Sequence, residues 1–198
     1  GGSGFVGRHV VRALARRGFR VRVAVRRPDL AGHLQPLGAV GQIHAVQANL
    51  RYPESVRQAV AGAEIVINCV GILYETGRQK FDSVQARGAG AVAKAAAEAG
   101  ARLIHISAIG ADAQSPALYA QTKAAGEAAV LKEAPDAVIL RPSIVFGPED
   151  DFFNRFAGLA QMSPALPLIG GGETAFQPVF VGDVAQAVMA AVDGRTKP

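Results

Sequence analysis

The chain has 198 residues, a formal net charge of +5 and 49% hydrophobic residues, which suits one folded domain rather than a disordered or fibrous chain. Its single cysteine, Cys69, excludes an internal disulfide framework and favours a reducing compartment. No stretch approaches the ~20 consecutive apolar residues that a membrane-spanning helix needs. The one basic cluster, residues 17–27, alternates arginines with valines, so we interpret it as a buried strand with charged ends and not as a nucleic-acid surface.

The first seven residues, GGSGFVG, form a glycine-rich loop with Gly1, Gly4 and Gly7 at regular spacing. Apolar residues then recur at helical spacing as far as Gly18, which predicts a helix that starts at the loop. Such a loop is typical of dinucleotide-binding domains, because glycines let the backbone approach a pyrophosphate and the helix N-terminus attracts its charge. The strand that normally precedes this loop is absent, so we expect the sequence to be a fragment.

Beyond the loop, strand-like and helix-like segments alternate with short connections. The predicted strands are Val21–Val25, Gln42–Gln47, Ile65–Val70, Leu103–Ser107 and Val138–Leu140. The predicted helices are Pro53–Ala61, Phe81–Ala99, Tyr119–Glu133 and Val184–Val192. Together with the absent strand, this pattern predicts a Rossmann-type α/β fold, a doubly wound parallel sheet with helices on both faces. We expect a single domain over residues 1–198, with a cofactor-binding core over 1–147 and the start of a small substrate-side region over 148–198.

The residues about 20 positions after the loop indicate which dinucleotide is bound. NAD sites carry an acidic residue there, at the end of the second strand, where it binds the ribose 2′-hydroxyl. This chain has Arg26 and Arg27 instead, and the nearby acid is Asp29. Because a guanidinium suits a 2′-phosphate, we predict NADP(H) in preference to NAD(H). The alternative is that both arginines only solvate a strand end.

A second group of residues indicates redox chemistry. Tyr119 and Lys123 are four residues apart in a predicted helix, which places the phenol and the ammonium on one face. Ser107 ends the preceding strand, at the sheet edge where α/β proteins bind ligands. We predict that Tyr119 is a general acid/base whose pKa is lowered by Lys123 and by the positive ring of the cofactor. Ser107 then holds the substrate oxygen.

Taken together, these motifs resemble the atypical, extended branch of the short-chain dehydrogenase/reductase superfamily, which includes epimerase/dehydratase-like proteins. Three further segments support the resemblance: Asn68–Gly71, Arg141–Pro148 and Val179–Ala185. Within the branch, residues 142–154 and 177–184 look most like the NADPH-binding accessory subunits of respiratory complex I and their bacterial relatives. The resemblance covers residues 1 to about 192.

The resemblance implies that the cofactor is held by the glycine loop, by several strand ends and by the helix that carries Tyr119. The implied residues are Gly1, Ser3, Gly4, Phe5, Val6, Gly7, Arg26, Arg27, Asn49, Leu50, Val70, Gly71, Tyr119, Lys123, Pro142, Ser143 and Ile144. Two positions depart from the family pattern. Asn49 stands where many relatives have Asp, and Gln85 stands where many extended members have an Asn that is thought to position a proton-relay water.

The resemblance implies two alternative functions. One is an NADP(H)-dependent oxidoreductase that acts on an unidentified small molecule. The other is a non-enzymatic NADPH-binding component of a respiratory membrane complex or of quinone-linked metabolism. A bacterial cytoplasmic location follows, at the periphery of the inner membrane in the second case. We expect no nucleic-acid partner, no integral membrane segment and no metal site.

Several residues are interpreted as structural. We take Cys69 as a small core residue rather than a nucleophile. The acidic run Glu149–Asp151 is interpreted as a solvated helix start rather than a cation site, and Asp183 as the N-cap of the last helix. The Gly170–Gly172 run is either a ligand-contacting loop or a flexible one. The histidines lack metal-ligand spacing; they are His9, His33, His44 and His105.

Overall fold

The computed structural model describes residues 1–162, 171, 173 and 175–196, so Gly170 and Gly172 lie outside the described residues. The helices are α1 (Phe5–Arg16), α2 (Pro53–Val60), α3 (Arg87–Glu98), α4 (Leu118–Glu133), α5 (Phe153–Met162) and α6 (Val181–Val192). The strands are β1 (Val21–Val25), β2 (Ile43–Gln47), β3 (Ile65–Asn68), β4 (Arg102–Ile106), β5 (Val138–Leu140), β6 (Val145–Phe146) and β7 (Val179–Phe180). Two 3₁₀ helices, Pro28–Leu30 and Gly32–Leu37, follow β1, and a π-helix at Asp82–Ala86 leads into α3.

The strands pair in parallel and are covered by helices on both faces, which confirms the doubly wound α/β prediction. β1 pairs with β2, β4 lies between β3 and β5, and β6 pairs with β7. Leu103 of β4 packs with α2, α3 and α4, whereas its neighbour Ile104 packs with α1 and α6 on the opposite face. Successive side chains of a strand point to opposite faces, so both faces of a covered strand are apolar.

A slot separates β1 from β3. It holds a cavity of about 760 Å³ lined by apolar side chains such as Val10, Val23 and Ile67. Gly1 lies at the carboxyl end of the slot, where its amino group donates to the carbonyl oxygen of Ala24 at 3.3 Å.

The helix predicted at 81–99 is divided, because its first part is the π-helix. The extra residue of a π-turn pushes a carbonyl outward, and here the carbonyl oxygen of Gln85 points at Gly126 of α4. A Cβ at Gly126 would overlap that oxygen. The sequence showed helical periodicity here but not this crossing, which depends on Gly126 of α4 meeting the backbone of Gln85, 41 residues earlier in the chain.

The region after residue 142 differs from the prediction. The short strands β6 and β7 were not predicted, whereas α5, which begins at Phe153, follows the helix start interpreted at Glu149–Asp151. Helix α6 begins at Val181, so Asp183 lies in its first turn while Phe180 is the N-cap. The solvated interpretation of the acidic run is wrong for Asp150, which is 5% exposed. Its Oδ1 accepts the backbone N–H groups of residues 152, 153 and 154 at 2.6–3.2 Å, so it caps α5 from the interior.

None of the helices within the described ranges has both the length and the apolar character needed to cross a membrane.

Candidate dinucleotide and redox site

The glycine loop ends at Gly4, the N-cap of α1. No side chain caps this helix, and its first turn contains no acidic residue. The N–H groups at a helix start lack intrahelical partners and carry partial positive charge. The start of α1 therefore has the features of an anion site for the pyrophosphate of a dinucleotide.

The three glycines of the loop are needed for different reasons. A Cβ at Gly1 would lie 2.7 Å from the carbonyl carbon of Cys69, and one at Gly7 would overlap the carbonyl oxygen of Gly1. Both glycines therefore allow the loop to pack within the protein. A Cβ at Gly4 would meet nothing closer than the Gly1 oxygen at 3.4 Å. Gly4 thus leaves its backbone open to a ligand, which fits a pyrophosphate lying against the loop.

A cavity of about 1250 Å³ lies at the carboxyl ends of β3, β4 and β5. It exceeds the ~300–1,000 Å³ of typical small-molecule sites, which leaves room for part of a cofactor and a second molecule. Most residues predicted from the sequence line it: Gly4, Phe5, Val6, Gly7, Val70, Gly71, Ser107, Tyr119, Lys123, Pro142, Ser143 and Ile144. The predicted residues outside its lining are Gly1, Ser3, Arg26, Arg27, Asn49 and Leu50.

Ser107, Tyr119 and Lys123 meet at this cavity. Ser107 is 3% exposed, and its Oγ is close enough to the Glu127 carboxylate to lower the pKa of that group, but it makes no hydrogen bond of standard geometry within the described part of the chain. A buried hydroxyl without a partner is costly, so Ser107 is available to a ligand oxygen. Lys123 is 5% exposed; its Nζ donates to the carbonyl oxygen of Ile106 over 3.4 Å and lies 5.9 Å from the Tyr119 ring centre.

Burial shifts both titratable groups away from their charged forms. It lowers the pKa of the Lys123 ammonium, an effect that the Glu127 carboxylate opposes. It raises the pKa of the Tyr119 phenol, opposite to the direction predicted from the sequence. Lys123 alone does not outweigh the desolvation of Tyr119, so a lowered Tyr119 pKa needs additional positive charge in the cavity.

The sequence analysis missed an ion pair between α4 and the residue that follows β5. Arg141 donates from Nε and Nη2 to the two carboxylate oxygens of Glu127 at 2.9 and 2.5 Å. The side chain of Glu127 is only 7% exposed, against 59% for Arg141. Burial alone would raise the pKa of the Glu127 carboxyl, but the Arg141 guanidinium and, to a smaller extent, the Ser107 hydroxyl hold it below its usual value. The sequence signal that could have pointed to Glu127 is its position four residues after Lys123, on the same face of the helix.

His105 was set aside from the sequence, yet it is buried on β4 near the site. The Asn68 amide nitrogen lies 3.0 Å from His105 Nδ1, and the Asn68 Oδ1 accepts the N–H of Val70 at 3.1 Å. An amide nitrogen only donates, so Nδ1 accepts and the imidazole is neutral. Burial lowers the pKa of His105 to about 4, with the positive charge of Lys123 adding to the effect.

Gln85 joins the two walls of the cavity. Its Nε2 donates to the carbonyl oxygen of Ile72 at 2.7 Å, and its Oε1 accepts from the Thr122 hydroxyl at 3.2 Å. Ile72 follows Gly71 in the loop after β3, and Thr122 precedes Lys123 on α4. Gln85, which stands where many extended members of the family have Asn, therefore uses both ends of its amide to hold these two elements together.

The remaining predicted residues surround the ends of β1 and β2. Arg27 forms an ion pair with Asp29 at 2.9 and 2.6 Å, whereas Arg26 has no ion pair among the described residues. The Gly1 nitrogen lies 3.3 Å from the carbonyl oxygen of Ala24, so Arg26, two residues after Ala24, is near the glycine loop. Asn49 Oδ1 accepts the N–H of Arg51, and Leu50 packs against α3.

A glycine loop at a helix start, a doubly wound parallel sheet and a Ser–Tyr–Lys group at one cavity define an NAD(P)-binding protein of the atypical short-chain dehydrogenase/reductase type. The chain belongs to the NAD(P)H-binding family, whose family model matches residues 1–151. The family described as 3-beta hydroxysteroid dehydrogenase/isomerase matches residues 109–198.

The similar proteins include respiratory and reductase proteins. NADH dehydrogenase (ubiquinone) 1 alpha subcomplex subunit 9, mitochondrial, from Arabidopsis thaliana is 40% identical over 97% of this chain and 48% of its own length. Ceramide reductase from Caulobacter vibrioides is 38% identical over 85% of this chain and 52% of its own length. The chain thus spans about half the length of these curated relatives.

The fold is also similar to that of solved structures. The dTDP-glucose 4,6-dehydratase DesIV from Streptomyces venezuelae, with NAD and TYD bound, has a TM-score of 0.80 and 21% identity, and the match covers 100% of this chain and 71% of DesIV.

Within the described ranges, no three His, Cys, Asp or Glu side chains are grouped to hold a metal ion.

Proposed function

We propose that the protein is an NADP(H)-dependent oxidoreductase that interconverts a carbonyl and a hydroxyl group. The observation that carries this proposal is the unpartnered Ser107 hydroxyl, buried in the same cavity as Tyr119, Lys123 and the start of α1. These groups are a hydrogen-bond donor, a proton donor and a cation beside a dinucleotide site. The similarity to ceramide reductase, named as a reductase, supports the same reading.

Each residue has a defined part in the proposed reaction. Ser107 donates a hydrogen bond to the carbonyl oxygen of the substrate, and Tyr119 gives its phenolic proton to that oxygen as the negative charge develops. Lys123 holds the nicotinamide ribose and stabilises the phenolate that Tyr119 leaves. NADPH, when bound, supplies the hydride. In the reverse direction Tyr119 accepts the hydroxyl proton.

The test follows NADPH absorbance with a panel of quinones and carbonyl compounds. Tyr119→Phe removes the proton donor and is expected to slow turnover by about 10²–10⁴-fold. Tyr52→Phe is the matched control, because Tyr52 is 59% exposed and lies outside the cavity lining. The enzymatic proposal fails when no compound oxidises NADPH faster with the unchanged protein than with Tyr119→Phe.

We further propose a preference for NADP(H), based on Arg26. Arg26 is near the loop and has no ion pair among the described residues, so its guanidinium is available to a 2′-phosphate. Arg26→Ala is expected to weaken NADPH binding about tenfold while NADH binding changes little. Arg16→Ala, at the exposed far end of α1, is the control. Equal weakening of both cofactors by Arg26→Ala would refute the preference.

A second function is favoured by a different observation. The similarity to a mitochondrial NADH dehydrogenase subunit supports a non-enzymatic NADPH-binding component of a respiratory membrane complex, located at the membrane periphery. The raised pKa of Tyr119 is compatible with it, because such a protein needs no phenolate. This function predicts NADPH binding without turnover, and Tyr119→Phe then leaves the affinity for NADPH unchanged.

A further inference from the structure

Glu127 lies on α4 one turn beyond Lys123, and both are buried. Residues four apart on a helix are neighbours on its surface. The one hydrogen bond of Lys123 Nζ in the described part of the chain is the long contact of 3.4 Å to the Ile106 carbonyl oxygen. A buried ammonium with such weak neutralisation needs a nearby negative charge.

Glu127 is the carboxylate placed to supply that charge. Three titratable groups lie near Lys123: Tyr119 and Glu127 on its own helix, and His105 on β4. Arg141, just after β5, is paired with Glu127. Tyr119 and His105 are neutral, and Arg141 is positive. Asp150 is the other buried acid of the described residues, but its oxygens are taken by backbone N–H groups at the start of α5.

The ion pair also connects α4 to the opposite wall of the cavity. Arg141 is followed directly by Pro142 and Ser143, which line the cavity. Pro142 is fixed in turn, because its carbonyl oxygen accepts the N–H of Ile109 at 2.9 Å. The two parallel hydrogen bonds between Arg141 and Glu127 constrain both distance and orientation. Glu127 therefore contacts Arg141, which leads into the facing segment, and lies one helical turn from Lys123 on α4.

We propose that Glu127 is a positioning residue that keeps the Lys123 ammonium charged and, through Arg141, holds α4 in register with the Pro142–Ser143 wall. Its importance for cofactor binding rests on the proposed function, in which Lys123 binds the nicotinamide ribose. The electrostatic part concerns the protein alone and is measurable without any cofactor. Glu127 and Arg141 carry opposite charges, so removing one or the other is expected to shift the Lys123 titration in opposite directions.

The test measures the titration midpoint of Lys123 by NMR of its ¹³C-labelled side chain, with the signal assigned by Lys123→Arg. Glu127→Gln removes the negative charge but keeps an acceptor for Arg141, and is expected to lower the midpoint by about one pH unit. Arg141→Gln removes the positive charge and is expected to raise it. Glu98→Gln, which removes one carboxylate of the exposed ion pair with Arg57, is the control and leaves the midpoint unchanged.

The opposite signs separate this role from a structural one. A merely structural ion pair predicts that both variants shift the midpoint in the same direction or not at all, and either result overturns the inference. Glu127→Asp keeps the charge on a shorter side chain and is expected to restore most of the midpoint, which covers the case in which Glu127→Gln folds poorly. NADPH titrations of the same variants report separately on the proposed function: absent binding to the unchanged protein refutes that function, whereas the Lys123 midpoints still decide the inference.

Discussion

Two clusters of polar and charged side chains lie at the carboxyl ends of the parallel strands, and they differ in burial. The β1 cluster consists of Arg26, Arg27 and Asp29, all exposed. The β4–β5 cluster consists of the buried Ser107, His105, Lys123 and Glu127, with the exposed Arg141. Both clusters lie on the side of the sheet where α/β proteins bind ligands.

The difference in burial determines how strongly each cluster depends on its neighbours. Exposed ion pairs contribute about 0–1 kcal/mol and are screened by salt, so residues of the β1 cluster act almost independently. In the interior, every charge must be paired or neutralised, because desolvation is expensive. Residues of the β4–β5 cluster are therefore coupled, and a change in one alters the protonation of the others. Cofactor preference is thus easier to change than the chemistry of the site.

The largest expected effect concerns His105 in the buried cluster. Its pKa is about 4 in the folded protein against an ordinary value of 6.5, so below pH 6.5 the unfolded chain binds more protons. The contribution of His105 to the free energy of unfolding should therefore stay constant above pH 6.5. It should decrease by about 2–3 kcal/mol as the pH falls to about 4.5. Urea unfolding at several pH values measures this loss.

His105→Asn tests that prediction, because Asn offers an acceptor near the Nδ1 position for Asn68 but does not titrate in this range. The variant is less stable at pH 7, since it is smaller, but its stability should change far less between pH 6.5 and 4.5. His44→Gln, at an exposed position on β2, serves as the control. An identical pH slope in His105→Asn and the unchanged protein would show that His105 is not the source.

A smaller effect is expected where α4 crosses the π-helix. Gly126→Ala places a methyl group on the carbonyl oxygen of Gln85, and backbone cannot move aside cheaply. We expect the free energy of unfolding, measured with urea, to fall by about 1–3 kcal/mol. The hydrogen bond from Gln85 to the cavity wall at Ile72 should also weaken. Gly158→Ala on α5 is the matched control, because a Cβ there meets nothing within 4 Å. It should gain about 0.5–1 kcal/mol, and an equal loss in both variants would rule out the crossing as the cause.

The smallest effect belongs to the exposed cluster. Asp29→Asn breaks the ion pair with Arg27 and frees a second guanidinium beside Arg26. Stability should change by less than about 1 kcal/mol. The ratio of NADPH to NADH affinity should increase about two- to fivefold at low salt and less at high salt. Fluorescence titration at two ionic strengths measures it, and an unchanged or lower ratio would contradict a role for Arg27 in binding the 2′-phosphate.

The two clusters were not equally accessible from the sequence. The glycine loop, the arginines after β1 and the Tyr119–Lys123 pair were found because each is a pattern over a few residues or one helical turn. Glu127 has the same helical spacing, but its role depends on Arg141, which lies 14 residues further on and reaches it only after β5 joins the sheet. The pairing of Arg27 with Asp29 was equally undetermined, because an exposed side chain of this length has many rotamers.

The sequence by itself determined the alternation of strands and helices, the anion-binding loop and the residues at the strand ends, because periodicity and spacing are local properties of the chain. Only the tertiary structure decided which of those residues are desolvated. Burial made His105 neutral, raised the pKa of Tyr119 and left Lys123 dependent on Glu127. Desolvation depends on every element packed around a group, and it is therefore set when the helices close over the sheet.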